Sequence, residues 1–271
     1  MKQEISYYIY SPCGNDTALV QGIHYSNEMK KTINDNIMKV NSNVEQVGFV
    51  EKDQGYQLIM AGGEFCGNAT RSAAHFFLEG NLGQLKIKVS GVDNVIDAGI
   101  DEEGKAWCRF PIYAGNDVVT TLEPDIYKVK MNGIIHIVID ENVVQEYIKN
   151  IDNIKPNAMN LIRKFNIYEA DAIGVMFLEK MEQRIKIHPV VWVKSIDTLF
   201  YETACGSGSV AIGILKSLSE NSSQTLEILQ PSGHVIETTI SLKDMQLVDA
   251  IISGMINTDG VIRKIEIDDL L

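Results

Sequence analysis

Phe65–Phe77 (FCGNATRSAAHFF) and Ala204–Leu218 (ACGSGSVAIGILKSL) are the two stretches that decide how this sequence folds. Each opens on Cys-Gly, continues through small residues and ends in larger apolar ones. That is the composition of a helix apolar nearly all round, and such a helix must be enclosed on most sides. Each is followed by a turn, a strand ending in Ser-Gly, and another strand: LKIKVSG then VIDAGI, and LEILQPSG then VIETTI. The same order recurs at nearly the same offset, which predicts an internal duplication with a curled sheet around one central helix in each half.

Outside these stretches, short β-branched and aromatic runs (ISYYIY, QVGFVEK, YQLIM, IIHIVID, AIGVMFLE, IKIHPVVWV) alternate with Gly, Asn and Asp turns and read as strands. Three segments read as helices: Asn68–Leu78, about Asn142–Phe165 with a break near Pro156, and Ser207–Ser219. The expected class is therefore α+β, two similar domains built on mostly antiparallel sheet. One half, carrying Cys66, covers 1–118 plus about 258–271, because the tail GVIRKIEI is expected to return to it. The other, carrying Cys205, covers 119–257.

The chain has 271 residues, 45% hydrophobic and 22% charged, with 24 Lys and Arg against 36 Asp and Glu. A net charge of −12 repels a phosphate backbone and anionic lipid, so neither nucleic acid nor a membrane is expected as a partner. The start, MKQEISYYIY, lacks the apolar core of a signal peptide, and no apolar run reaches the roughly 18 residues of a membrane span. A cytoplasmic protein is expected. Neither a CxxC pair nor a glycine-rich phosphate loop is present, so no metal and no cofactor is expected.

A thiol directly before a helix meets the positive end of the backbone dipole and N–H groups without intrahelical partners. Its pKa is expected to fall from about 8.5 toward neutrality, making Cys66 and Cys205 usable bases. A lone cysteine of this kind is more often a small buried hydrophobe, but occurrence at equivalent points of a duplication favours chemistry. Two thiols on opposite faces of a small acid suit racemisation, one removing an α-proton and the other returning one. Cys108, alternating in a strand, reads as structural, and Cys13, in SPCGND, as near a site without acting in it. His75, His188, Trp107 and Trp192 read as packing residues, and the acidic end EIDDLL as a solvated face.

In order along the chain, SPCGND, EQVGF, EFCGNATRSAA, ETACGSGSVA and QPSG resemble the motifs of the diaminopimelate epimerase family. The resemblance implies two sheet-around-helix domains with an active site between them and Cys66 and Cys205 as the catalytic bases. It further implies Asn15, Gln46 and Asn68 as substrate-binding residues, with the N–H groups of Gly67, Asn68, Gly206 and Ser207 taking the α-carboxylate. Departures from the pattern are specific. No arginine lies between Arg184 and Cys205 to clamp a second carboxylate, the family's Gly-Asn-Pro-His segment appears as Gly133, Ile134, Ile135 and His136 without the substrate-contacting Asn, and Gly174 stands for another family Asn. What remains is similar to the histidine racemase branch that serves staphylopine-type metallophores, with Glu45 and Glu202 available to an imidazole. In that reading Glu202 either binds substrate or caps the second helix. The expected partner is a small amino-acid substrate, and a homodimer stays open. Rival readings are a diaminopimelate epimerase, a proline racemase-like enzyme, and a redox-responsive amino-acid-binding protein.

Overall fold

Strand β1 (Lys2–Ser11) turns Ile5 and Tyr7 inward between the more exposed Glu4, Ser6 and Tyr8, the two-residue period of a half-buried strand. The computed structural model describes residues 2–113, 115, 117–181, 184–194 and 198–268. They form two units, Met1–Arg109 with Ser253–Leu271, and Phe110–Ile252. The sequence reading placed these divisions at 118 and about 258. The strand read as WCRFPIY is shorter than expected, because β7 (Ala106–Arg109) stops two residues before Pro111.

In the first unit, β1 lies between β2 (Asp16–Gln21) on one side and β17 (Asn257–Thr258) and β18 (Arg263–Asp268) on the other, all antiparallel. The tail thus returns to the first unit, and Ile267 is buried there while Glu266 is exposed; 269–271 lie outside the described residues. Parallel pairing joins β2 to β3 (Val44–Glu51) and β4 (Gln57–Met60) to β5 (Gly83–Val89). Antiparallel pairing joins β3 to β4, β5 to β6 (Ile96–Ile100) and β6 to β7. Helix α2 (Gly67–Phe77) touches β2 through β7, and every residue from Gly67 to Ala74 is buried. On the opposite face lies α1 (Asn27–Val40), a helix the sequence reading missed. Its polar run NEMKKTINDN hides a narrow stripe, Ile33 and Ile37, that completes a cluster with Tyr7, Phe49 and Ile267. Ser26 caps it by accepting the Met29 N–H at 3.1 Å.

The second unit begins with β8 (Val119–Glu123), β9 (Ile126–Met131) and β10 (Ile134–Ile139), paired antiparallel in turn. The region read as one broken helix is α3 (Gln145–Ile148), a short 3-10 turn and α4 (Ile154–Lys164). The break precedes Pro156, which sits in the first turn of α4, where a missing N–H costs no hydrogen bond. Strand β11 (Ala172–Lys180) pairs parallel to β10 and antiparallel to β12 (Ile185–Val193). The end of β12 pairs with β13 (Thr198–Tyr201) and its start with β14 (Gln224–Leu229), which continues into β15 (Val235–Lys243). Helix α5 (Gly206–Glu220) packs on β14, β15 and β9 through β11, while α4 covers the other face, closing a cluster around Ile137, Val175, Phe177 and Val190. Strand β16 (Gln246–Gly254) runs out of this unit. Each unit thus presents its sheet to a buried helix on one face and an amphipathic helix on the other.

The Ser-Gly turns matched in the sequence share backbone geometry, Gly91 at φ +75° and Gly233 at φ +85°. They differ in surroundings. A Cβ on Gly91 would strike the Phe65 backbone nitrogen and approach the Glu64 carbonyl carbon to 2.7 Å, immediately ahead of Cys66, whereas one on Gly233 meets nothing within 4 Å. Gly233→Ala is expected to cost about 1–2 kcal/mol for left-handed geometry alone, and Gly91→Ala about 3 kcal/mol or more. Urea melts of the two variants decide it; equal costs would show that the Glu64–Phe65 backbone yields.

Candidate active site

Two cysteines stand at equivalent helix starts with the same local geometry. Cys66 caps α2 at φ −133°, ψ 114°, and Cys205 caps α5 at φ −125°, ψ 104°. Each Sγ accepts an N–H from the third residue on, Ala69 at 3.4 Å and Gly208 at 3.3 Å. Four residues after each cysteine a hydroxyl donates back to its carbonyl, Thr70 at 2.7 Å and Ser209 at 2.8 Å. Thr70 and Ser209 were legible in CGNAT and CGSGS as hydroxyls at one spacing, but the sequence reading did not single them out. Ahead of the Thr70-to-Cys66 and Ser209-to-Cys205 bonds, the N–H groups of Gly67, Asn68, Gly206 and Ser207 have no intrahelical acceptor. Both helix starts therefore combine a thiol with donors suited to a carboxylate.

A directional chain ends at Cys66. The Thr17 hydroxyl donates to the Asn15 carbonyl at 3.4 Å and accepts from Gln46 Nε2 at 2.7 Å, which turns Gln46 Oε1 to the Cys66 thiol at 2.9 Å. The chain connects Asn15 and Gln46 to the thiol; Thr17, the residue between them, was not foreseen. Glu45 sits at a register shift, since Asp16 pairs with Val44 and Thr17 with Gln46. As the extra residue of a bulge it escapes strict strand alternation, a device that re-aims side chains. Cys13, Gly14 and Asn15 form three successive left-handed residues at φ 69°, 105° and 56°, strain of the kind held at functional sites. Cys13 is buried and donates to the Met255 carbonyl at 3.3 Å. Cys108 donates to the Gly67 carbonyl at 3.6 Å, and burial pushes its thiol up to about 12, an inert role.

Cys205 departs from the expected acidification. Burial is the largest influence and lifts its pKa well above the ordinary thiol value. Glu202 adds to the rise, as a nearby negative charge and as the acceptor of the thiol proton, and outweighs the help of Ser207 and the Gly208 N–H. The helix start therefore does not bring this thiol toward neutrality. Nor does Glu202 cap α5, since Cys205 does so itself. Gln230, of the QPSG motif, is wholly buried: its Oε1 accepts the Cys205 N–H at 2.9 Å and its Nε2 donates to Ser209 at 3.1 Å. The motif was quoted from sequence, but the role of Gln230 follows from contacts between residues 25 positions apart.

Gly208 and Gly174 are both required by space. A Cβ at Gly208 would collide with Met176 Sδ and come within 3.2 Å of Cys205 Sγ; one at Gly174 would collide with the His136 ring, its Cε1 at 2.6 Å. The imidazole of His136 thus fills the room that a larger residue at 174 would need. It is completely buried, neither ring nitrogen has a hydrogen-bond partner, and burial lowers its pKa to about 3. His188 is held between Tyr201 (2.8 Å) and Glu179 (3.0 Å), Trp192 packs edge-on to Tyr168, and His75 packs edge-on to Tyr10. Trp107 is half-buried in β7. Among the described residues no three His, Cys, Asp or Glu side chains cluster as metal ligands do, and no helix is long and apolar enough to cross a membrane.

Residues 4–260 match the family model described as the histidine racemase CntK N-terminal domain. A histidine racemase of Staphylococcus aureus (strain Mu50) is 29% identical over 252 residues, covering 88% of this chain and 89% of that protein. One from Fusobacterium nucleatum subsp. nucleatum (strain ATCC 23726) is 28% identical over 243 residues, 85% of this chain and 88% of the other. Among solved structures, a PhzF-family phenazine biosynthesis protein of Bacillus anthracis superposes with a TM-score of 0.67 at 14% identity, over 98% of this chain and 100% of the other. A hydroxyproline epimerase from Agrobacterium vitis, solved with bound trans-4-hydroxy-L-proline, gives 0.64 at 11% identity over 98% and 92%. These structures share the mixed α/β, mostly stranded fold.

His136 makes stability depend on pH in a stated direction. Below its ordinary value of 6.5 the unfolded chain binds a proton that the folded chain refuses until about pH 3, so stability falls as pH drops through that window. At pH 5 the loss is about 2 kcal/mol. Urea melts at pH 7.5 and pH 5 are expected to show His136→Gln losing about 2 kcal/mol less than the native chain over this interval. Equal losses would place the titrating group elsewhere.

Proposed function

The chain belongs to the family of the histidine racemase CntK N-terminal domain and is an amino-acid racemase; from that premise we propose that it interconverts L- and D-histidine with Cys66 and Cys205 as its two acid–base groups. The observation that carries this reading is the repeated cap, with a thiol, a first turn of donors and a hydroxyl at the fourth position in both units. In one direction a thiolate removes the α-proton, breaking Cα–H and forming S–H. The opposing thiol then gives its proton to the other face, forming Cα–H and leaving a thiolate. The two sulfurs exchange protonation states in each turnover, and the reverse reaction starts from the exchanged form.

Carbanion formation next to a carboxylate needs that carboxylate held and its growing charge stabilised. Gly67 and Asn68 on one side and Gly206 and Ser207 on the other supply the N–H groups proposed for this task. In this reading Cys205, whose thiol resists ionisation and donates to Glu202, serves as the acid in the direction in which Cys66 serves as the base. Glu45 and Glu202 are the carboxylates proposed to receive the imidazole. No pyridoxal phosphate enters the scheme.

Preference for histidine over a doubly zwitterionic diaminopimelate is supported by what the second unit lacks. No arginine stands between Arg184 and Cys205, and His136 occupies the space at Gly174 where the epimerases carry an amide. A second carboxylate desolvated there without a partner would cost several kcal/mol.

Deuterium uptake at Cα from heavy water tests the whole reading. L-Histidine is expected to be labelled and to give D-histidine, faster than L-aspartate, L-proline or LL-diaminopimelate. Cys66→Ala and Cys205→Ala are expected to lose racemisation by about 1000-fold or more, and Cys108→Ala to retain most of it. Full activity in either of the first two variants sinks the two-thiol mechanism, and faster labelling of diaminopimelate overturns the substrate.

A further inference from the structure

Arg71 lies in α2, one turn beyond the Cys66-Gly67-Asn68 start, and is completely buried. Its Nη2 donates to Asn68 Oδ1 at 2.9 Å and to the Pro12 carbonyl at 3.3 Å, while Nε and Nη1 are buried with no acceptor. Among the described residues no carboxylate pairs with it. Of the carboxylates on strands that touch α2, Asp97 pairs with Lys86 and Arg109 and Glu51 accepts the Lys52 and Asp53 N–H groups, and two nearby weak acids stay protonated. Cys108 on β7 and Tyr10 on β1 are each pushed up to about 12 by burial, and His75, one turn on, is lowered by burial and stays neutral. An unmatched buried cation is costly, and substrate binding is where such a cost can be recovered.

A guanidinium has no acceptor, so the atom of Asn68 facing Arg71 must be the amide oxygen. The Asn68 NH₂ is thereby turned away from the guanidinium, and Ser72 fixes the same residue from below by donating to its carbonyl at 3.0 Å. We propose that Arg71 is a positioning residue of the α-carboxylate subsite: it locks Asn68 with its amide donors outward, and its charge, which no carboxylate pairs among the described residues, is completed by the carboxylate bound at the start of α2. The proposal rests on the racemase reading for the identity of that carboxylate, but the field and the lock exist without it.

The test uses the full chain with Arg71→Met and Arg71→Lys and two readouts. The first is alkylation of Cys66, followed by mass mapping, with iodoacetate against neutral iodoacetamide; their rate ratio reports the local positive field independently of any substrate. The second is kcat and KM for L-histidine. Arg71→Met is expected to lower the iodoacetate preference about tenfold and raise KM by at least as much. Arg71→Lys keeps the charge but not the fork, so it is expected to keep the alkylation ratio while KM rises about tenfold and kcat changes less than threefold. An alkylation ratio unchanged in Arg71→Met overturns the proposal, and so does an unchanged KM in Arg71→Lys. If Arg71→Met does not fold by circular dichroism, the lysine variant decides alone. A native chain that leaves histidine untouched but whose alkylation ratio follows Arg71 retains the anion subsite and rejects the substrate.

Discussion

The thiol of Cys66 accepts the Ala69 N–H, and that of Cys205 the Gly208 N–H, because each cysteine stands in extended geometry before a helix whose first turn has no other acceptor. Sulfur is a weak N-cap beside Ser, Thr, Asn or Asp. The arrangement persists because the sheets fix the helices by other means: α2 is buried from Gly67 to Ala74, and α5 almost throughout from Gly206 to Leu215. Packing holds the helix, and the cap can be given to chemistry. Residues pressed against the helix starts follow from that constraint. Gly208 leaves room for Met176, and Gly91 lets its loop pass the backbone ahead of Cys66.

The two thiols share a cap but differ in surroundings. Cys66 is half-buried and engages a neutral amide whose orientation is set by Thr17 and Asn15. Cys205 is buried, holds its main-chain N–H on Gln230, and gives its proton to a carboxylate. A helix terminus contributes at most about 1–2 kcal/mol to a neighbouring charge, whereas full burial of a titratable group can shift it by several pKa units. At Cys205 the second effect is larger. The same balance acts at His136, where burial without a partner keeps the imidazole neutral.

Much of this was legible along the chain. The two central helices, the Cys-Gly start that each repeats and the return of the tail are properties of composition and order. Helix α1 was not legible, because its fully buried apolar residues are Ile33 and Ile37 alone, set amid Asn, Asp and Lys. The break expected near Pro156 lies just ahead of it, at residues 149–153, because proline is tolerated in a first turn and the sequence does not say where that turn starts.

By itself the sequence determined which residue types would meet at each helix start, since Cys-Gly, the hydroxyl at the fourth position and the donors of the first turn are local and act within one turn of helix. Tertiary structure decided what those groups do electrically. Asn15, Thr17 and Gln46 come to Cys66 across strands, Gln230 comes to Cys205 from 25 residues away, and Arg71 is buried with no carboxylate partner among the described residues. Desolvation and hydrogen-bond direction depend on which surfaces close over a group, and that is a property of the packed chain rather than of any segment in it.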